Sequence, residues 1–209
     1  MIYRIFGLLL VLFLTLPLGA CSPDAGTGSG SVTGGKSPFQ GTDITGVDWG
    51  KDLQLTDHNG KRRSLADFHG KVVVLFFGYT HCPDVCPTEL QVMAEALKQL
   101  GPRGESITPV FISIDPERDT PEILKSYVEN FDPRLVGLTG TPDETAAVAK
   151  AYRAYYAKAG KTESPDYLMD HSSIIYLMDR QGRFLKHFTY TTDAKALAEG
   201  LLAAMAASP

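Results

Sequence analysis

Three cysteines occur in the chain, and two of them stand close together, Cys82 and Cys86. They lie in the stretch Gly78-Tyr79-Thr80-His81-Cys82-Pro83-Asp84-Val85-Cys86-Pro87. Two thiols beside a histidine and an aspartate can oxidise to a disulfide or hold a soft metal ion. Three residues separate them, where Cys-X-X-Cys redox motifs have two. Residues four apart share one side of a helix, with Cα atoms roughly 6 Å apart, a distance a disulfide tolerates. Cys82 and Cys86 are therefore candidate catalytic thiols if the pair is redox-active, a candidate disulfide, and candidate metal ligands. A purely structural bridge is a weak reading, because so short a loop gains little closure entropy. Helix-start N–H groups next to Cys86 favour a thiolate there.

Something must present these thiols. The apolar run Val72-Val73-Val74-Leu75-Phe76-Phe77 leads into them and reads as a strand buried on both faces. A helix is expected from Pro87 to Leu100, with Leu90, Met93, Leu97 and Leu100 inward. Val110 to Ile114 is a second buried strand. Thr120-Pro121-Glu122 opens a helix with Ile123, Leu124, Tyr127, Val128 and Phe131 inward. Leu135 to Leu138 is a short strand, and Thr141 with Glu144 forms a capping box for a helix reaching Tyr152. Residues 157–167 read as a polar loop, and 173–178 as a third buried strand. Asp179-Arg180-Gln181-Gly182 turns into a hairpin partner, and a last helix covers 193–206. Leu53 to Leu65 reads as an N-terminal hairpin extension. This order gives an α/β fold, a thioredoxin-like central sheet flanked by helices.

In that topology the loop before the third core strand faces the cysteine loop across the end of the sheet. Here it carries Asp170-His171-Ser172, so His171 is the candidate third ligand. Two thiolates and an imidazole suit copper and zinc alike. Asp170 is a candidate for orienting His171, and Asp84 for tuning the thiolates or facing a partner; capping and simple solvation are the plain alternatives. His81 reads as a loop-packing residue, since it cannot easily share a site with its neighbour Cys82. Met93 and Met178 fall on core stripes, while Met169 is assigned to neither core nor site. Asp115, Glu117 and Asp119 form an acidic loop near the site by topology; a docking surface or a role in supporting the ligands is open to it, and a capped, solvated loop is the plainer reading.

The N-terminus follows a different logic. Residues 1–20 combine one basic residue, Arg4, with a long apolar run ending in Leu18-Gly19-Ala20. This is the pattern of a secretory signal peptide of the lipoprotein type, with Cys21 as the lipid-bearing first residue. Residues 21–38 are rich in Gly, Ser and Thr and read as a flexible tether. Residues 39–209 are left as one domain. The expected localisation is the cell envelope, with the domain held on the extracytoplasmic (periplasmic) side of a membrane by a lipid anchor, where disulfides persist. The net charge is −4, and no basic cluster offsets it, which excludes a nucleic-acid partner on electrostatic grounds.

Together these motifs resemble the Sco/SenC family. The resemblance rests on Asp48-Trp49 to Asp67-Phe68, on Gly78 to Pro87, on Ile114 to Thr120 and on Asp170-His171-Ser172-Ser173. It implies a thioredoxin-like fold and copper, as Cu(I) or Cu(II), bound by Cys82, Cys86 and His171. It implies a metallochaperone that helps assemble the Cu-A centre of cytochrome c oxidase, with subunit II or another cuproprotein as partner. The alternative it leaves is a thiol–disulfide oxidoreductase that keeps the cysteines of subunit II reduced.

Overall fold

In the computed structural model, residues 41–160 and 166–207 are described. The expected leader, Cys21 and the tether lie outside them. Ten strands and four helices follow one another in α/β order. The strands are β1 (Thr42–Asp43), β2 (Gln54–Asp57), β3 (Arg62–Ser64), β4 (Val72–Gly78), β5 (Ile107–Ser113), β6 (Val136–Thr139), β7 (Tyr156–Ala159), β8 (Leu168–His171), β9 (Ile174–Met178) and β10 (Phe184–Thr189). The helices are α1 (Val85–Leu100), α2 (Pro121–Val128), α3 (Pro142–Ala151) and α4 (Ala194–Ala207). Eight strands form one sheet in the order β1-β10-β9-β4-β5-β6-β2-β3, and β7 pairs with β8 apart from it.

The middle of the sheet follows from composition. β4 is apolar throughout and every residue of it is buried. It pairs in parallel with β5, from Val72 opposite Ile107 to Gly78 opposite Ser113, and antiparallel with β9. A strand hydrogen-bonded on both edges and covered on both faces needs no polar alternation. Phe76 faces Phe111, whose ring meets Tyr127 of α2; Phe77 faces Tyr152, just past α3. α1 packs against α4. Each fully buried Phe or Leu in this core contributes roughly 1.5–3 kcal/mol of transfer free energy.

The helix starts are encoded locally. Thr141 Oγ1 accepts the Glu144 N–H at 3.2 Å, and Glu144 Oε2 accepts the Thr141 N–H at 2.8 Å, the capping box expected for α3. Thr120 caps α2 with Pro121 following it. Two hairpins share one device. Buried Asp57 accepts the N–H groups of Asn59 and Lys61 and the Arg63 Nε–H at 2.7 Å. Buried Asp179 does the same with Gln181, Arg183 and the Arg183 guanidinium at 2.7 Å. The N-terminal hairpin β2–β3 joins the sheet through β6 and becomes its edge.

Three expectations change. α1 begins at Val85, so Pro87 falls within its first turn rather than opening it; the missing N–H is tolerated there because that turn's donors have no helical partner. Ile123 points outward, 42% exposed, and Phe131 lies beyond the end of α2, half-buried against Tyr127. The stretch read as a loop contains β7, which pairs with β8 from Tyr156 opposite His171 to Ala159 opposite Leu168. His171 is thus the last residue of a strand.

Candidate metal centre

β4 and β5 end at the same edge of the sheet, and the chain leaves β4 there through a turn closed by Cys82 N–H donating to the Tyr79 carbonyl at 3.3 Å. This places Cys82 half-buried just before α1 and Cys86 fully buried in its first turn. Gly78 makes the close approach possible. A Cβ on it would sit 2.8 Å from Cys86 Sγ and 2.8 Å from Phe111 Cε2. β8 delivers His171 from the other side, its ring edge-on to Phe76 and Tyr79 at centroid distances of 5.9 and 6.0 Å.

The three side chains converge. His171 Nε2 lies 3.3 Å from Cys86 Sγ, and the Cys86 N–H donates to Cys82 Sγ at 3.3 Å. Sγ of Cys82, Sγ of Cys86 and a ring nitrogen of His171 all lie within 4.8 Å of one another. They form the one such group of three or more His, Cys, Asp or Glu residues among the described residues. The other ring nitrogen of His171, Nδ1, lies 3.2 Å from the Ser172 carbonyl. A carbonyl only accepts, so this contact puts a proton on Nδ1, and Nε2 is the ring atom that faces the sulfurs, placed to donate to a thiolate or to ligate a metal. Both cysteines are free thiols here.

Their acidities are opposite. The Cys82 thiol is lowered to about 3, first by the hydrogen bond from the Cys86 thiol, with further help from His171 and from backbone N–H groups of Asp84 and Cys86. The same bond, together with burial, pushes Cys86 far above the usual thiol range. This corrects the expectation that helix position would make Cys86 the thiolate. The hydrogen bond Cys86 gives to the Cys82 sulfur, and burial after it, outweigh the helix-start field, and the Cys86 N–H points back at Cys82 instead.

The remaining candidates separate. Asp84 and Asp170 are exposed, and among the described residues neither carboxylate has a hydrogen bond to the cluster. Asp84 acts on Cys82 through its backbone N–H. His81 stays outside the cluster, its Nδ1 3.1 Å from Thr80 Oγ1. Met169 is buried, and its N–H donates to the Tyr79 hydroxyl at 3.2 Å; Met93 and Met178 are core. The acidic loop is not solvated as expected: Asp115 and Asp119 are 1% and 0% exposed. Asp119 Oδ1 accepts the Thr80 hydroxyl at 2.6 Å, and Oδ2 accepts the Ser113 hydroxyl at 2.6 Å and the Thr80 N–H at 3.1 Å. The sequence left a site-supporting role open to these carboxylates but not their burial, for which a short acidic run between a buried strand and a capped helix was a usable signal.

Two soft sulfurs and an imidazole nitrogen at one point suit copper and zinc. A family model described as SCO1/SenC matches residues 42–206. The chain belongs to the SCO1/SenC family. It is 47% identical over 141 residues to the protein SCO1 homolog, mitochondrial, of Homo sapiens, covering 66% of this chain and 47% of that protein. It is 42% identical over 158 residues to the protein SCO2 homolog, mitochondrial, of Bos taurus, covering 75% and 59%. The chain thus spans about half the length of the curated relatives it matches. A solved structure of Bradyrhizobium japonicum ScoI with copper bound matches with a TM-score of 0.70 at 46% identity, covering 75% of this chain and 99% of that one. Yeast Sco1 with copper bound matches with a TM-score of 0.69 at 36% identity, covering 74% and 87%. These matches bear out the thioredoxin-like fold of the SCO1/SenC chain. No helix among its described residues is long and apolar enough to cross a membrane.

Proposed function

We propose that this chain carries copper as cargo, held by Cys82, Cys86 and His171, and hands it to a cuproprotein. The observation that carries the reading is the convergence of two sulfurs and one imidazole nitrogen within 4.8 Å, where the central strands β4 and β5 end. Copper rather than zinc is supported by relatives whose structures hold copper, Bradyrhizobium ScoI and yeast Sco1. Thiolates suit Cu(I), and the imidazole extends the set to Cu(II). Three donors leave room for a partner's ligand, so cargo leaves by ligand exchange. The family resemblance points to the Cu-A centre of cytochrome c oxidase subunit II as the receiving site. Residues 1–20 act as a lipoprotein signal and Cys21 as the anchor, placing the domain on the extracytoplasmic side of a membrane.

The test is copper binding by the full chain and by Cys82→Ser, Cys86→Ser and His171→Ala, with copper counted per protein and competed with a Cu(I) chelator. One copper per wild-type chain is expected, with tight binding lost in each variant. Wild-type copper binding in His171→Ala would remove the third ligand from the reading.

A second reading has its own observation, the low-pKa thiol of Cys82 beside Cys86. As a thiol–disulfide reductase, Cys82 would attack a partner disulfide and release one partner thiolate. Cys86 would then attack the mixed disulfide, closing Cys82–Cys86 and freeing the second partner thiol. Two electrons pass to the partner and the pair ends oxidised. Oxidase activity in cells carrying His171→Ala separates the readings: loss favours the copper carrier, retention the reductase.

A further inference from the structure

The donors come from two separate parts of the chain, which meet directly where the Met169 N–H donates to the Tyr79 hydroxyl at 3.2 Å. Cys82 and Cys86 hang on the turn after β4, and His171 ends the β7–β8 hairpin, outside the main sheet. One loop touches both. Residues 114–120 follow β5 and close on themselves through Asp119 N–H to the Asp115 carbonyl at 2.9 Å and Asp115 N–H to Ser113 Oγ at 3.0 Å.

At one end of this loop the Asp119 carboxylate takes both the N–H and the hydroxyl of Thr80, two residues before Cys82. At the other end Asp115 Oδ1 accepts the Tyr167 hydroxyl at 2.6 Å. Arg118 donates to the Tyr167 carbonyl at 3.0 Å and lies 3.6 Å over its ring. Glu117 pairs with Lys158 of β7 at 2.7 Å. Tyr167 immediately precedes β8, the strand that ends in His171.

We infer that the Asp115–Asp119 loop is the common anchor that sets the distance between the cysteine pair and His171, with Asp119 and Tyr167 as positioning residues on its two arms. Neither touches the three donors; each fixes the segment that carries them. Buried, multiply bonded carboxylates hold their geometry, because leaving their partners unsatisfied is costly. The loop therefore presets the three donors before any ligand arrives. Groups bonded directly to a metal's ligands are worth about 10–100-fold in metal affinity, and residues that act one step further out belong at the low end of that range.

The inference rests on the copper reading for its consequence but not for its geometry, so two kinds of measurement are needed. The variants are Tyr167→Phe, which keeps the ring over Arg118 and loses only the hydroxyl, and Asp119→Asn, which sets an amide N–H against the donors of Thr80. Both are made in the full chain. In the metal-free protein the readouts are the NMR signals of the His171 ring and the pH profile of Cys82 alkylation. With copper they are chelator competition and the sulfur and nitrogen neighbours seen by X-ray absorption.

Tyr167→Phe is expected to move the His171 signals and leave the Cys82 profile as in wild type. Its copper should keep both sulfurs, lose or lengthen the nitrogen contact, and bind about tenfold more weakly. Asp119→Asn should do the converse, shifting the Cys82 profile. Should Asp119→Asn fail to fold, Ser113→Ala, which removes one donor to the same carboxylate, takes its place. Wild-type His171 signals in Tyr167→Phe together with an unmoved Cys82 profile in the Asp119 or Ser113 variant overturn the inference. A wild-type chain that binds no copper would defeat the copper reading, while the metal-free measurements would still decide the anchor.

Discussion

Gly78→Ala puts the smallest possible side chain at the most crowded point of the site. The backbone there is ordinary strand, so the test concerns space alone. The new Cβ would meet Cys86 Sγ and Phe111 Cε2 at 2.8 Å and Phe76 Cε1 at 3.0 Å. Ordinary contact is about 3.5 Å, so a sulfur or a ring must retreat by about 0.7 Å. All three neighbours are fully buried, so any retreat presses on other packed side chains. Overpacking of this kind costs about 1–3 kcal/mol, and a domain of this size loses about 2–4 °C of Tm per kcal/mol. Metal–ligand distances tolerate only about 0.2 Å, so a displaced Cys86 cannot serve the same site. Strain of about 1.4 kcal/mol carried into the loaded state weakens copper tenfold. Thermal unfolding of the metal-free protein and chelator competition of the loaded one measure the two effects separately. An unchanged Tm would refute the close packing of β4 against α1. A lowered Tm with wild-type copper affinity would show that the rings yield and the sulfur does not, refuting the link between Gly78 and the site.

Other perturbations read other parts of the argument. Because the Cys82 thiol is lowered to about 3, its alkylation rate in the metal-free protein should be flat from about pH 5 to 8; a tenfold rise per pH unit over that range would contradict the assignment. Cys86 should react far more slowly, and Cys82→Ser should bring its pKa down, since the Cys82 sulfur is the main cause of its elevation. Thiolate formation at Cys82 favours the folded state, so metal-free stability should fall as pH drops from about 9 toward 3. Glu89, 1% exposed with Oε2 lacking a partner, is raised by burial from 4.5 to about 7. Its folded form holds the proton more tightly than the unfolded chain, so stability is lost as pH rises through that window. Glu89→Gln should therefore gain over wild type between pH 5 and 8, by up to about 3 kcal/mol; equal gain at both pH values would show that Glu89 does not ionise there.

The elements around the cysteines were legible because their causes are local. The Val72–Phe77 run can only be a buried strand, Thr120 and Thr141 carry their helix starts in their own side chains, and four-residue spacing puts both sulfurs at one helix end. His171 was legible only through topology and family resemblance, since nothing in its neighbours marks a ligand. The β7–β8 hairpin was not legible. Its strands show no clean alternation, and they are held by Tyr167 and Lys158 reaching a loop some forty residues earlier or more, and by Arg118 of that loop donating to the Tyr167 carbonyl. Asp119 was misread for the same reason. A carboxylate in a polar loop looks solvated until the fold brings Thr80 and Ser113 onto it. The acidity of the two thiols was reversed because the hydrogen bond between them, with burial of Cys86 second, decided it, and which sulfur donates is not written in their spacing.

The contact between Cys86 and His171 spans 85 residues of chain. Closing so long a loop is opposed by chain entropy until the intervening structure has formed. In the nascent or unfolded chain, Cys82 and Cys86 offer a two-point grip, while the third point arrives only when β9 has paired with β4 and drawn β8 across the sheet's end. On the proposed three-donor site, tight retention of a metal would then be a late event in maturation, coincident with completion of the domain. On that same proposal, a half-finished molecule would hold copper by two donors only and lose it to a competitor with three. Bound copper, counted under competition, is for that reason also a census of how many molecules have finished folding.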